Sequence, residues 1–93
     1  MKIYIVGSVA SGKSTLARKI SHITGAPCYH LDEAVYTVDP SEPWGNKKRP
    51  LEERDHLFQA MLAQRHYIME DAGRDCFRAG MEQADTVLLL EIP

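Results

Sequence analysis

Near the start of the chain stand Gly7-Ser8-Val9-Ala10-Ser11-Gly12-Lys13-Ser14, spaced as G-x-x-x-x-G-K-[ST]. That spacing suits phosphate. Glycines at either end let the backbone curl until successive N–H groups face inward and surround anionic oxygens. A helix beginning where the loop ends aims about half a positive charge at the same point. Gly7, Ser8, Ala10, Ser11 and Gly12 form the cradle, and Lys13 reaches the β and γ phosphates of a nucleoside triphosphate. The Ser14 hydroxyl takes a place on Mg²⁺, and Thr15 offers a hydroxyl to the α phosphate. Chance would produce the four constraints together in a chain of 93 residues only about a few times in a thousand.

The cradle does not choose a substrate. Sheets with helices between their strands bind ligands at the carboxyl ends of the strands, so charged residues there are the next candidates. Asp32-Glu33, Glu70-Asp71 and Glu91 each close a strand-like run. A carboxylate beside the phosphates either holds Mg²⁺ or takes a proton from an attacking hydroxyl. The plainer alternative is a polar residue that ends a strand and faces water. Asp32 is a candidate for either role, and Asp71 joins Ser14 as a candidate for the metal. Arg74 is either a bidentate clamp for a substrate anion or a solvated surface arginine.

The elements that position these groups follow from the hydrophobic pattern. Ile3-Tyr4-Ile5-Val6 has no polar alternation, as expected of a strand buried on both faces of a parallel sheet. After the glycine loop, Leu16, Ile20 and Ile23 make one helical stripe, with Gly25 as its cap and Pro27 barring its continuation. A short strand covers Cys28 to Leu31. Residues 34–50 lose periodicity, hold three prolines and predict a long, functional or mobile connection. A helix then runs from Leu51 to about Arg65 with Leu57, Phe58, Met61 and Leu62 inward. Tyr67-Ile68-Met69 predicts a third strand, Cys76 to Gln83 a short helix, and Thr86–Leu90 a last apolar strand. The alternation predicts one α/β domain with a layered parallel sheet.

Composition narrows the function classes. Hydrophobic residues at 44% and charged residues at 26% fit a globular domain and not a disordered one. No apolar stretch approaches the roughly 20 residues of a membrane span, and Met1-Lys2 with four apolar residues is no secretory signal. A cytoplasmic location with reduced Cys28 and Cys76 is expected. The net charge of −2 argues against direct DNA binding, which needs clustered cations.

With these motifs in order, the chain resembles the P-loop kinases of the adenylate- and shikimate-kinase-like group. Within that group it is most similar to the small bacterial DNA topology modulation (FlaR-type) proteins. The resemblance covers all 93 residues. It is carried by Lys2–Ser8, Ser14–Lys19, Tyr29-His30-Leu31-Asp32, Pro43-Trp44, Tyr67–Glu70, Arg74–Phe77, Ala84–Val87 and Glu91-Ile92-Pro93. It implies a three-layer P-loop fold with strand order 2-3-1-4, ATP or GTP with Mg²⁺, and an acceptor held by residues 33–65. It further implies that Asp32 lies near the acceptor and Arg74 near the acceptor's anionic group. Asp71-Ala72-Gly73 departs from the glycine turn that relatives often carry after the third strand. Relatives also continue into an arginine-bearing lid, a fifth strand and a base-contacting loop. A chain stopping at Pro93 is therefore expected to be a truncated fragment or a homodimer that covers its exposed last strand.

Other signals are weaker. Lys47-Lys48-Arg49 meets an anion or is a solvated loop face; Trp44 stacks on a ring or anchors the loop. His22, His30, His56 and His66 lack ligand spacing, and Met61, Met69 and Met81 fill the core. Together the residues lead to an adenylate-kinase-like phosphotransferase acting on a small acceptor, a nucleotide or nucleoside. The alternative is a nucleotide-binding regulatory protein tied to DNA topology, with little or no turnover.

Overall fold

The two apolar runs at opposite ends of the chain become neighbours. In a computed structural model that describes residues 1–8 and 11–91, β1 (Lys2–Gly7) runs parallel to β6 (Thr86–Leu90) on one side. On its other side it pairs in parallel with β5 (Tyr67–Asp71), which in turn pairs with β2 (Cys28–His30). The order is β2-β5-β1-β6. Counting these four strands in chain order, that is the 2-3-1-4 arrangement expected from the resemblance. Because all pairs are parallel, Gly7, His30, Asp71 and Leu90 close their strands at one edge.

Strand alternation splits the core in two. Tyr4, Tyr67 and Met69 face one side, where they pack with Leu31, Ala34, Val35, Phe58, Leu62 and Phe77. This layer contains α2 (Asp32–Val35), α3 (Leu51–Leu62), a 3-10 turn (Asp75–Phe77) and α4 (Arg78–Glu82). Phe58 and Phe77 lock the layer with ring centroids 4.8 Å apart and a 53° tilt. Buried Tyr67 donates its hydroxyl to the Gly80 carbonyl at 2.7 Å. On the other side, Ile5 and Ile68 meet Ala17 of α1 (Lys13–Thr24), with Leu16 and Ile20 beside them. Helices thus cover both faces of a parallel sheet.

Several boundaries differ from expectation. Ile23 does not join the buried stripe of α1 and is 81% exposed. The left-handed Gly25 (φ 76°) ends the helix, its N–H donating to the Ser21 carbonyl, and Ala26 takes the buried place. α3 stops at Leu62 rather than near Arg65, and the last helix is shorter, preceded by the 3-10 turn. Residues 34–50 are not structureless. After α2, β3 (Tyr36–Val38) and β4 (Asn46–Lys48) form an antiparallel hairpin. Its turn is built by Asp39, whose carboxylate accepts from the Ser41 N–H at 3.0 Å and the Ser41 hydroxyl at 2.6 Å, and by left-handed Gly45. The prolines that obscure the strand pattern, Pro40 and Pro43, sit in that turn.

Trp44 anchors no core contact and is 89% exposed. Met69 is fully buried, and Met61 and Met81 pack against the same cluster. Cys28 and Cys76 carry no disulfide. β6 is an open edge with Val87 and Leu89 exposed. Among the described residues, no helix is long and apolar enough to cross a membrane.

Candidate functional site

The chain leaves the sheet edge at Gly7, where a side chain has no room. A Cβ there would lie 2.5 Å from the Ser11 hydroxyl and 3.1 Å from the Leu90 carbonyl oxygen. Ser11 turns back through its N–H to the Ser8 carbonyl at 3.2 Å, and its own hydroxyl is buried without a partner among the described residues. Gly12 then adopts φ 86°, a left-handed conformation that favours glycine, and its carbonyl accepts the Leu16 N–H at 2.9 Å. Ala10, a candidate from the sequence, lies with Val9 outside the described residues.

Lys13, the first residue of α1, is only 8% exposed. Its ammonium lies 3.4 Å from the Ser8 carbonyl, and among the described residues no carboxylate comes within ion-pairing distance. A buried cation with one long hydrogen bond is poorly compensated and attracts an anion. One residue on, the Ser14 hydroxyl donates to Glu70 Oε2 at 2.8 Å. Thr15 follows on the exposed side.

The adjacent acids Glu70 and Asp71 are both buried and do different things. Alternation along β5 puts Glu70 on the α1 side with Ile68, where it meets Ser14. Its second oxygen is 3.8 Å from Nδ1 of His30, its partner across the β2–β5 ladder. His30 Nε2 stands 3.7 Å from the Cys28 sulfur. Burial, and next the Glu70 charge, push the Cys28 thiol above its ordinary range.

Asp71, at 0% exposure, points to the other side. One of its oxygens accepts the N–H groups of Gly73 at 3.0 Å and Arg74 at 2.7 Å; the other pairs with the Arg74 guanidinium. The same Nη1 of Arg74 donates to Asp32 Oδ1 at 2.7 Å. Burial opposes the charge on Arg74, but Asp32 and Asp71 outweigh it and raise the guanidinium above its usual value.

The structure thus brings Asp32, Asp71 and Arg74 into one ionic network, and Lys13 and Ser14 into the loop side of the same edge. Glu70, not Asp71, is the carboxylate bonded to Ser14. Asp71, which the sequence offers with Ser14 as a metal candidate, is bonded to Arg74 and to the 71–74 turn. The signal that separates the two acids was present in the sequence, since the two-residue period of a strand sends neighbours to opposite faces. Among the described residues, no three His, Cys, Asp or Glu side chains group closely enough to hold a metal. On the loop side, the Ser14 hydroxyl with Glu70 behind it is the group that could take a place on a metal.

Two shallow depressions open on this edge. One, about 440 Å³, lies beside the loop and is lined by Val6, Gly7, Ser8, Ala72, Leu90 and exposed Glu91. The other, about 380 Å³, lies between α2 and the hairpin and is lined by Asp32, Glu33, Tyr36, Thr37, Val38 and Asn46. Compared with known proteins, the chain matches no family model and no curated relative.

Proposed function

We propose that the chain is a P-loop nucleotide-binding protein that uses ATP or GTP with Mg²⁺ to phosphorylate a small acceptor, in the manner of the adenylate- and shikimate-kinase-like group. Lys13 carries the reading. Its ammonium is buried at the start of a helix, directly after a loop of G-x-x-x-x-G spacing, with no carboxylate paired to it among the described residues. The Ser11 hydroxyl, buried without a partner among the described residues, the crowded Gly7 and the Ser14–Glu70 bond fit the same ligand. A bound nucleoside triphosphate would supply the phosphoryl group, and Mg²⁺ would neutralise its charge.

The chain's own residues take the following parts. Gly7, Ser8, Ala10, Ser11, Gly12 and Thr15 line the phosphates, and Lys13 offsets their charge. Ser14 holds the metal, with Glu70 orienting the hydroxyl. Asp32 accepts the proton of the acceptor hydroxyl while the acceptor oxygen takes the phosphoryl group and the nucleoside diphosphate leaves with the bonding electrons. Arg74 fixes Asp32. Residues 33–65, comprising the hairpin and α3, form the acceptor side.

A second reading is a nucleotide-binding regulator related to the DNA topology modulation proteins, with little turnover. The Asp32–Arg74 pair favours it, because that bond takes up Nη1 of Arg74 and one oxygen of Asp32 on the acceptor side. Nucleoside diphosphate release measured across a panel of metabolites separates the two. Acceptor-dependent release supports the kinase, and slow release indifferent to every acceptor supports the regulator.

A further inference from the structure

The acceptor side has a charge balance that bears on what it takes. We propose, resting on the kinase reading above, that it selects a small uncharged molecule rich in hydroxyl groups, a nucleoside or a sugar, over the phosphate ester of the same molecule. Arg74 is the cation nearest to Asp32, and it is already engaged: one nitrogen serves both Asp71 and Asp32. Nε and Nη2 of Arg74 have no partner among the described residues, but a phosphate held there would sit beside two carboxylates that share one guanidinium. Drawing Arg74 away from Asp71 would strand a fully buried charge.

The neighbouring depression carries the same charge balance. Asp32 and Glu33 stand in its wall, and among the described residues no Lys or Arg lines it. Lys47 and Lys48 lie across the hairpin from Thr37 and Tyr36 but are not part of the lining, and Arg49 is bonded to Glu53 and to the Glu33 carbonyl. The rest of the lining is Tyr36, Thr37, Val38 and Asn46, uncharged residues of the hairpin. Asp32 is 62% exposed and uses Oδ1 for Arg74, so Oδ2 has no protein partner among the described residues. That oxygen accepts a hydroxyl proton and repels a phosphate. A volume of about 380 Å³ suits a ligand of one or two rings.

The test is calorimetry on the full chain saturated with a non-hydrolysable ATP analogue and Mg²⁺. One arm titrates adenosine and guanosine against their 5′-monophosphates, and the other titrates glucose against glucose 6-phosphate. At least one uncharged member should bind about tenfold tighter than its ester, and the arm in which this happens identifies the source. Asp32→Ala, which frees Arg74, should narrow that ratio by about tenfold. Asp32→Asn, which keeps the volume of the side chain, should narrow it in the same direction. Tighter binding of the esters by the unmodified chain, a ratio unmoved in both variants, or no binding of any probe overturns the proposal. Failure of the ATP analogue to bind overturns the nucleotide reading itself and is read separately, before any acceptor is added.

Discussion

Ser14 and Glu70 are 56 residues apart in the chain, and the serine hydroxyl donates to the glutamate carboxylate at 2.8 Å. This bond ties the first turn of α1 to the end of β5, so the candidate metal-binding hydroxyl is aimed by a buried acid. Glu70→Gln retains an oxygen that can accept from Ser14 but loses the charge that favours a cation nearby. Nucleotide affinity in Mg²⁺ should fall about tenfold, the size expected for an outer-shell partner. Affinity in EDTA should stay unchanged. Paired titrations check this, and equal losses in both conditions would point to a general disturbance of the loop.

The Arg74–Asp71 pair predicts a stability effect. Arg74→Ala leaves the fully buried Asp71 carboxylate with two backbone donors, Gly73 and Arg74, and no countercharge. The expected loss is about 2–4 kcal/mol, toward the lower end for a buried pair because those donors remain. Arg74→Lys should recover part of it. Urea unfolding of both variants provides the measurement, and a loss below about 0.5 kcal/mol would place the pair among weak surface bridges.

Gly80 marks a packing limit in α4. A Cβ there would come within 2.8 Å of the Met69 sulfur and 3.0 Å of a Tyr4 ring carbon, both buried. Gly80→Ala should therefore destabilise by about 1–3 kcal/mol despite alanine's better helix propensity. In a domain of this size each kcal/mol lowers Tm by about 4–8 °C. Thermal unfolding that shows no change, or a rise, would contradict the crowding.

Alkaline pH should weaken the fold. Burial, with nearby negative charge, raises the Tyr4 hydroxyl, the Tyr67 hydroxyl and the Cys28 thiol above their ordinary values of 10.0, 10.0 and 9.0. The folded chain then keeps protons that the unfolded chain has lost. This contribution is complete below pH 9.0 and declines as pH rises through the folded values. Tyr4→Phe should reduce the alkaline slope, as read by urea midpoints from pH 8 to about pH 11. An unchanged slope would remove Tyr4 from the explanation.

Local rules made much of this architecture legible. Unbroken apolar runs marked β1 and β6, and the spacing from Gly7 to Ser14 placed the strand–loop–helix junction. Gly25 ended α1 as glycine caps do. The hairpin at 36–48 was hidden because its strands are only three residues each and its turn holds the prolines. Ile23 falls outside the core because the buried face of α1 is centred on Lys13 and Ala17, whereas Ile23 shares the outer surface of Thr15, Lys19 and His22. The bond of Ser14 to Glu70 and the bridge of Arg74 to Asp32 are long-range facts of sheet order and register. Only the face to which each acid of β5 turns was open to sequence alone.

On the proposed function, Lys13 answers a nucleotide's phosphates. Calorimetric titration of ATP with Mg²⁺ into the unmodified chain and into Lys13→Ala tests it most directly, with folding and size checked for both. Saturable binding by the unmodified chain is expected, weakened at least about a hundredfold in the variant, as for the loss of a buried cation that meets a phosphate. A folded chain that fails to bind, or binding that survives the loss of Lys13, would contradict it.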